Sequence, residues 1–125
     1  LCWGDDADGE CSAPSQAFQQ ISAGGKHSCG LDEDGSVVCW GYDYYGQSSP
    51  PSDRFVQISA GYGHTCGVDS AGSIQCWGDD SYGQSSAPAG SFLEVSSGYR
   101  HSCGLRTRGS LVCWGDDSWE QSTPP

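Results

Sequence analysis

The chain contains no methionine and no asparagine, little positive charge and no long apolar run. Without Asn there is no acceptor for N-linked glycans. Five Lys+Arg stand against sixteen Asp+Glu, a formal charge of −11, which opposes the phosphate neutralisation that nucleic-acid binding depends on. Anionic membranes are disfavoured by the same repulsion. Cations, basic proteins and neutral glycans remain as the electrostatically permitted partners. Apolar stretches such as Val37-Val38-Cys39-Trp40 are far too short to insert across a membrane. Neither an initiator Met nor a charged-then-apolar leader opens the sequence, as expected of a mature chain or of a piece of a longer one.

Cysteine, by contrast, is abundant. Eight Cys in 125 residues is an even, dense count that reads as a disulfide framework made in an oxidising compartment, so an extracellular location, secreted or on the cell surface, is expected. The length suits one modest domain.

One fixed period of 37 residues accounts for most of the unusual residues. Cys2-Trp3-Gly4 recurs as Cys39-Trp40-Gly41, Cys76-Trp77-Gly78 and Cys113-Trp114-Gly115. A second cysteine series, Cys29, Cys66 and Cys103, keeps the same step, as do Phe18, Phe55 and Phe92 and His27, His64 and His101. The register divides the chain into a partial unit, a Trp strand and its loop at 1–14, and repeats at 15–51, 52–88 and 89–125. Each repeat is expected to hold three short strands. In the second these are Phe55–Ser59, which alternates with period 2, then His64–Val68 and Ser73–Trp77.

Pairing Cys29 with Cys39 sets them opposite each other across a hairpin whose loop is Glu33-Asp34-Gly35, with Gly where the left-handed conformation is needed. The same spacing pairs Cys66 with Cys76 and Cys103 with Cys113, three cross-strand disulfides in all. Cys2 and Cys11 are left over. They form a bridge that caps the N-terminal end, or Cys2 pairs with a repeat outside the sequence and Cys11 is free.

Written out, the unit is Phe-x-x-Ile-Ser-x-Gly-x-x-His-Ser-Cys-Gly-Leu, then Gly-Ser, Cys-Trp-Gly, x-Asp-x-x-Gly-Gln and Pro. This pattern resembles the regulator-of-chromosome-condensation repeat family, with the propeller-type β-lactamase inhibitors and the extracellular repeats of crinkly-type receptor kinases as the nearest likenesses. The resemblance implies an all-β fold of three-stranded, propeller-like blades. Such families usually close seven blades into a ring, and three units plus a part are too few. A segment of a longer propeller, a protomer whose copies complete a ring, and an open array that stacks end to end all fit this count. Exposed edges favour association in the last two.

His27, His64 and His101 sit beside Ser28, Thr65 and Ser102, the ingredients of nucleophilic catalysis. A side chain that recurs once per unit serves each blade rather than one unique site, so no catalytic residues and no enzyme activity are expected. Zinc is disfavoured because the ten-residue Cys spacing is not a knuckle. Turn capping of the backbone two residues on is the expected role of the recurring Asp6, Asp43, Asp80 and Asp117. Calcium at these residues and Asp8 is the alternative. No cofactor is indicated.

Function should lie where the units differ. The loops after each Trp-Gly and before each His carry Tyr42, Tyr44, Tyr45, Tyr82 and Trp119, and Tyr62, Tyr99 and Arg100. Exposed aromatics among carboxylates suit protein interfaces and sugar sites alike. The leading expectation is a non-catalytic extracellular scaffold that associates with itself, as a ring or filament, or with other proteins. A lectin-like carbohydrate-binding module is the alternative. The likeness to the β-lactamase inhibitors adds a third, inhibition of an extracellular enzyme.

Overall fold

The computed structural model describes every residue from Leu1 to Pro125. Nine strands, β1 (Gln20–Ala23), β2 (His27–Leu31), β3 (Val37–Gly41), β4 (Phe55–Ala60), β5 (His64–Asp69), β6 (Ile74–Gly78), β7 (Phe92–Ser97), β8 (His101–Arg106) and β9 (Leu111–Gly115), make up its regular structure. They form three antiparallel sheets, β1-β2-β3, β4-β5-β6 and β7-β8-β9, each a meander in chain order. The protein is all-β, and each sheet is one blade.

Each central hairpin is held twice. Cys29, Cys66 and Cys103 lie directly opposite Cys39, Cys76 and Cys113 in the ladder and are joined to them, with Cα atoms 4.0 Å apart in each pair. At the first turn the Asp32 N–H donates to Ser36 O (3.0 Å) and the Gly35 N–H to Asp32 O (3.1 Å), leaving Glu33-Asp34-Gly35 as the loop. Gly35 has φ of 83°, the left-handed conformation this turn requires. The Asp32 carboxylate adds two bonds of 2.9 Å from the Asp34 and Ser36 N–H groups.

Simple alternation does not hold in the first strand of the later blades. The pairing of β4 with β5 shifts between Phe55 and Gln57, and that of β7 with β8 between Phe92 and Glu94. The extra residue of this bulge, Val56 or Leu93, is 58% or 59% exposed, while Phe55 and Ile58, three apart, both turn inward. The sheet backbone also comes unusually close to these phenylalanines. A Cβ on Gly67 would lie 2.6 Å from the Phe55 ring, so the Cys-Gly pair of the second strand makes room for the aromatic.

No blade has an apolar core of its own. Cys29 and Leu31 of the first blade meet Phe55 and Ile58 of the second, and Cys66, Val68 and Ile74 of the second meet Phe92, Val95 and Trp114 of the third. Burying each large side chain contributes about 1.5–3 kcal/mol, and all of this burial lies at the two junctions. Backbone bonds tie the blades as well, from Phe55 N–H to Gly35 O and Phe92 N–H to Gly72 O, each 2.8 Å.

Residues 1–14 depart from the expected Trp strand. They form turns and no strand, because no neighbouring strand pairs with Cys2-Trp3-Gly4, and Trp3 is 83% exposed. Cys2 is bonded to Cys11, with Cα atoms 5.2 Å apart, and no cysteine is free.

The junctions explain a contrast within one repeat position. Ile21, Ile58 and Val95 are equivalent, yet Ile58 and Val95 are each 1% exposed and Ile21 is 70% exposed. Ile58→Ala should therefore cost about 2–5 kcal/mol and Ile21→Ala less than about 0.5 kcal/mol, read from urea unfolding under oxidising conditions. Equal losses would refute this account of the core.

Candidate interaction surface

Each junction is also locked by a polar relay. His27 Nε2 lies 2.6 Å from Thr65 Oγ1 in the next blade, and Thr65 Oγ1 donates to the Gln47 carbonyl at 3.0 Å. That carbonyl also accepts the Trp77 indole N–H at 3.0 Å. Since the hydroxyl proton goes to Gln47, the histidine must donate from Nε2, which leaves Nδ1 as a bare acceptor with no partner. The second junction repeats this, with His64 Nε2 2.8 Å from Ser102 Oγ and the Gln84 carbonyl accepting Ser102 Oγ at 3.4 Å and Trp114 Nε1 at 2.9 Å. The histidines beside hydroxyls are thus joints between blades.

Further links went unrecognised in the sequence. The Gln20 side chain donates to Ile58 O (2.9 Å) and accepts from its N–H (3.1 Å), and Gln57 grips Val95 in the same way (2.8 Å each). Their recurrence 37 residues apart was the available signal. The Glu10 carbonyl accepts Trp40 Nε1 at 2.8 Å and Ser28 Oγ at 3.1 Å, as Gln47 and Gln84 do for later blades. Residues 1–14 therefore seat on the first blade as the loop of a preceding blade would.

The loops before each histidine and after each Trp-Gly lie on the same edge of the array, tied by bonds such as Tyr42 N–H to Lys26 O at 2.9 Å and Asp116 N–H to Arg100 O at 2.8 Å. All six tyrosines fall there. Tyr44, Tyr45, Tyr62, Tyr82 and Tyr99 are exposed, Tyr42 is half-buried, and Trp119 stands 88% exposed at the far end. Several are pre-ordered by their neighbours. Tyr62 packs on Tyr99 (4.4 Å between centroids), Tyr44 meets Tyr45 edge-on (5.0 Å), and the Arg100 guanidinium lies over Tyr82 (4.6 Å) and Tyr99 (5.1 Å). An aromatic surface already held in place loses little freedom when a partner binds.

The recurring aspartates clamp these loops, but over a longer reach than an Asx turn. One oxygen of Asp6, Asp43, Asp80 and Asp117 accepts the N–H five residues on, of Cys11, Ser48, Ser85 and Ser122, at 2.7–2.8 Å. The other accepts the next hydroxyl, Ser49 Oγ for Asp43 at 2.7 Å. The two-residue Asx turn belongs instead to Asp5, Asp79 and Asp116. Asp8 pairs with Lys26 at 3.6 Å. Both carboxylate oxygens of Asp6, Asp43, Asp80 and Asp117 are thus engaged by the chain itself. Hydrogen bonds from Ser118 hold the Asp116 carboxyl below the usual range. At Asp79 burial works upward but is outweighed by the bonds from Ser81.

The two ends of the array are open. At the first blade Phe18, Ile21 and Trp40 border a cleft of about 470 Å3 with Leu1 and Trp3 on its other side. At the third blade Leu111 is 55% exposed where its equivalent Ile74 is 8%, and His101 and Gln121 hold relay positions with no following blade against them.

Comparison with known proteins matches this architecture. The regulator of chromosome condensation (RCC1) repeat aligns with residues 18–47, 55–84 and 92–118, one copy per blade. The chain belongs to this repeat family. Among solved structures, the RCC1-like chain is similar to the CRINKLY WD40 ectodomain of the Arabidopsis thaliana receptor kinase ACR4, at 33% identity and a TM-score of 0.74 over 92% of this chain and 42% of that one. The ectodomain of the Physcomitrella patens receptor kinase CR4 gives 31% and 0.77, over 90% and 35%. Yeast RCC1 (Prp20), solved bound to Kap60, shares the fold at 15% identity and a TM-score of 0.77, over 92% and 39%. The chain therefore spans less than half the length of each. A comparison with curated protein sequences returned no match.

The relay histidines make RCC1-type blade packing sensitive to acid. Burial lowers His27 to about 4, with Asp43 offsetting only part; burial likewise lowers His64 to about 4, with nearby His27 adding to the effect. In the unfolded chain both titrate near 6.5. Below that pH the unfolded state takes up protons that the folded state refuses, so stability is full above pH 6.5 and falls as pH drops toward 4. The expected loss is about 1.4 kcal/mol per pH unit for each histidine. Urea midpoints at pH 7, 5.5 and 4.5 measure it, and a flat profile over that window would contradict it.

Proposed function

We propose that the chain is an extracellular, non-catalytic interaction scaffold that associates with itself through its open blade faces and binds other proteins along its tyrosine-bearing edge. The observation that carries this reading is the position shared by Ile21, Ile58 and Val95, open in the first blade and sealed in the others. The two internal junctions show what seals it: the Cys, Leu and hydroxyl-seeking His face of a preceding blade. The third blade carries such a face, so head-to-tail contact between copies reproduces a junction the chain already makes. The Trp40 seat is held by Glu10, and docking exchanges that carbonyl for Gln121 of the incoming copy. Four disulfides and the two plant receptor ectodomains support the extracellular setting. The yeast relative bound to Kap60 supports protein binding by this fold.

Light scattering across a concentration series tests self-association. The wild-type chain should grow in mass with concentration, and Ile21→Asp or Leu111→Asp should each stop growth, since one disables the head and the other the tail. Both positions are exposed, so the monomers should stay folded. An equimolar mixture of the two variants still holds one intact head and one intact tail, and should form dimers and nothing larger. A wild-type chain that stays monomeric throughout would sink the self-association.

A sugar site is the second reading, favoured by one observation. Trp119, Tyr99, Arg100, Asp116 and Gln121 line a cleft of about 390 Å3 at the end of the third blade, an aromatic platform beside hydrogen-bonding groups. Glycan binding abolished by Trp119→Ala would support it. An array on which no sugar binds would end it.

A further inference from the structure

The tyrosine edge carries one position at which the three blades differ in a way that defines a vacancy. The residue before each histidine is Lys26 in the first blade, Gly63 in the second and Arg100 in the third. In the first, the Lys26 ammonium lies 3.6 Å from the Asp8 carboxylate and 5.2 Å from the centre of the Tyr42 ring. In the third, the Arg100 guanidinium stacks over Tyr82 at 4.6 Å and donates to the Tyr82 hydroxyl at 3.0 Å, beside Asp116. The second blade keeps the receiving groups. Tyr45 is the equivalent of Tyr82, and Asp79 the equivalent of Asp116. Glycine supplies no cation.

Gly63 itself is buried, and the groups beside it face outward: Tyr45 is exposed and Asp79 half-buried. A Cβ on Gly63 would meet Asp79 Cβ at 3.5 Å, Asp79 Oδ2 at 3.8 Å and Tyr45 Cδ2 at 3.8 Å, all ordinary contacts. Asp79 turns Oδ1 to the Ser81 N–H and hydroxyl, and no hydrogen bond from the chain reaches Oδ2. Tyr45 is 49% exposed, about as open as Tyr82 at 45%, but without the guanidinium that covers Tyr82. Asp79 borders the notch, and the chain as a whole carries −11, so a cationic group is drawn to this edge.

We propose that the notch formed by Gly63, Tyr45 and Asp79 receives an arginine side chain from a basic protein partner. The guanidinium stacks on the Tyr45 ring and pairs with Asp79 Oδ2, as Arg100 sits on Tyr82 beside Asp116. Arginine fits better than lysine because a planar fork can stack and donate at once, as Arg100 does. The other two blades fill the same position from within, so the second blade is the receptive one. This inference rests on the reading of the tyrosine edge as a protein-binding surface, and names the chemistry it selects.

The test uses the full oxidised chain and a short Gly/Ser peptide carrying two arginines, with its citrulline counterpart as the neutral isostere. NMR titration should shift the Tyr45 ring and Asp79 resonances with the arginine peptide and leave them unmoved with the citrulline peptide. Gly63→Arg places the cation in the notch from the chain's own backbone and should weaken peptide binding about tenfold or more, the worth of one stacked and paired cation. Asp79→Asn and Tyr45→Ala should each weaken it severalfold, which keeps the test informative if Gly63→Arg does not fold. Equal binding of the citrulline peptide, or binding by folded Gly63→Arg and Asp79→Asn as tight as the wild type, overturns the notch. If that unaltered binding is instead lost in Tyr99→Ala or Trp119→Ala, the tyrosine edge survives as a protein-binding surface and only the arginine notch fails. If the peptide moves no residue along the edge, both fail.

Discussion

A three-stranded sheet of four- to six-residue strands cannot bury a face against itself, and everything else in this chain follows from how that face is covered. The covering comes from the next blade. Leu31 reaches Phe55 and Ile58, and Val68 and Ile74 reach Phe92 and Val95. Stability is then carried by nearest-neighbour contacts along a line of repeats. A blade at the end of the line keeps one face bare, and Ile21 and Leu111 are the visible result.

Polar groups make each junction selective as well as adhesive. An apolar face alone would tolerate sliding. The His–hydroxyl–carbonyl relay and the two-point grip of Gln20 or Gln57 on a backbone amide fix one blade against the next in a single register. Burying an unpaired Nδ1 is tolerable because, with the proton on Nε2, it is only a lone pair without a donor; protonation would make it a buried charge. The disulfides play a different part. Cys29–Cys39, Cys66–Cys76 and Cys103–Cys113 lie within blades and hold each small hairpin together, while the relays and apolar contacts join blades.

Rigidity built this way leaves the outer edge free to vary. Clamped carboxylates and stacked tyrosines hold the loops without any partner, so variation at positions such as 26, 63 and 100 changes surface chemistry without disturbing the junctions. The three blades use that freedom differently, with Lys, Gly and Arg at one site.

The period, the three-stranded unit and the hairpin cysteine pairs were legible in the sequence because each depends on local spacing. A ten-residue step from Cys29 to Cys39 around a Gly turn admits one close pairing, and the same arithmetic repeats. The location of all six tyrosines in loops was legible for the same reason. The sequence did not reveal the bulge at Val56, the exposure of Trp3, or the reach of Asp43 to Ser48 rather than two residues on. Each depends on what packs alongside: Phe55 needs an inward path, Trp3 lacks a strand to pair with, and the loop of Asp43 is pressed into the next blade. Sequence alone determined the unit, because its signals lie within a few residues of one another. Only the tertiary structure decided which copies of an identical position are core and which are surface, because burial here depends on the presence of a neighbouring blade and not on the residue itself.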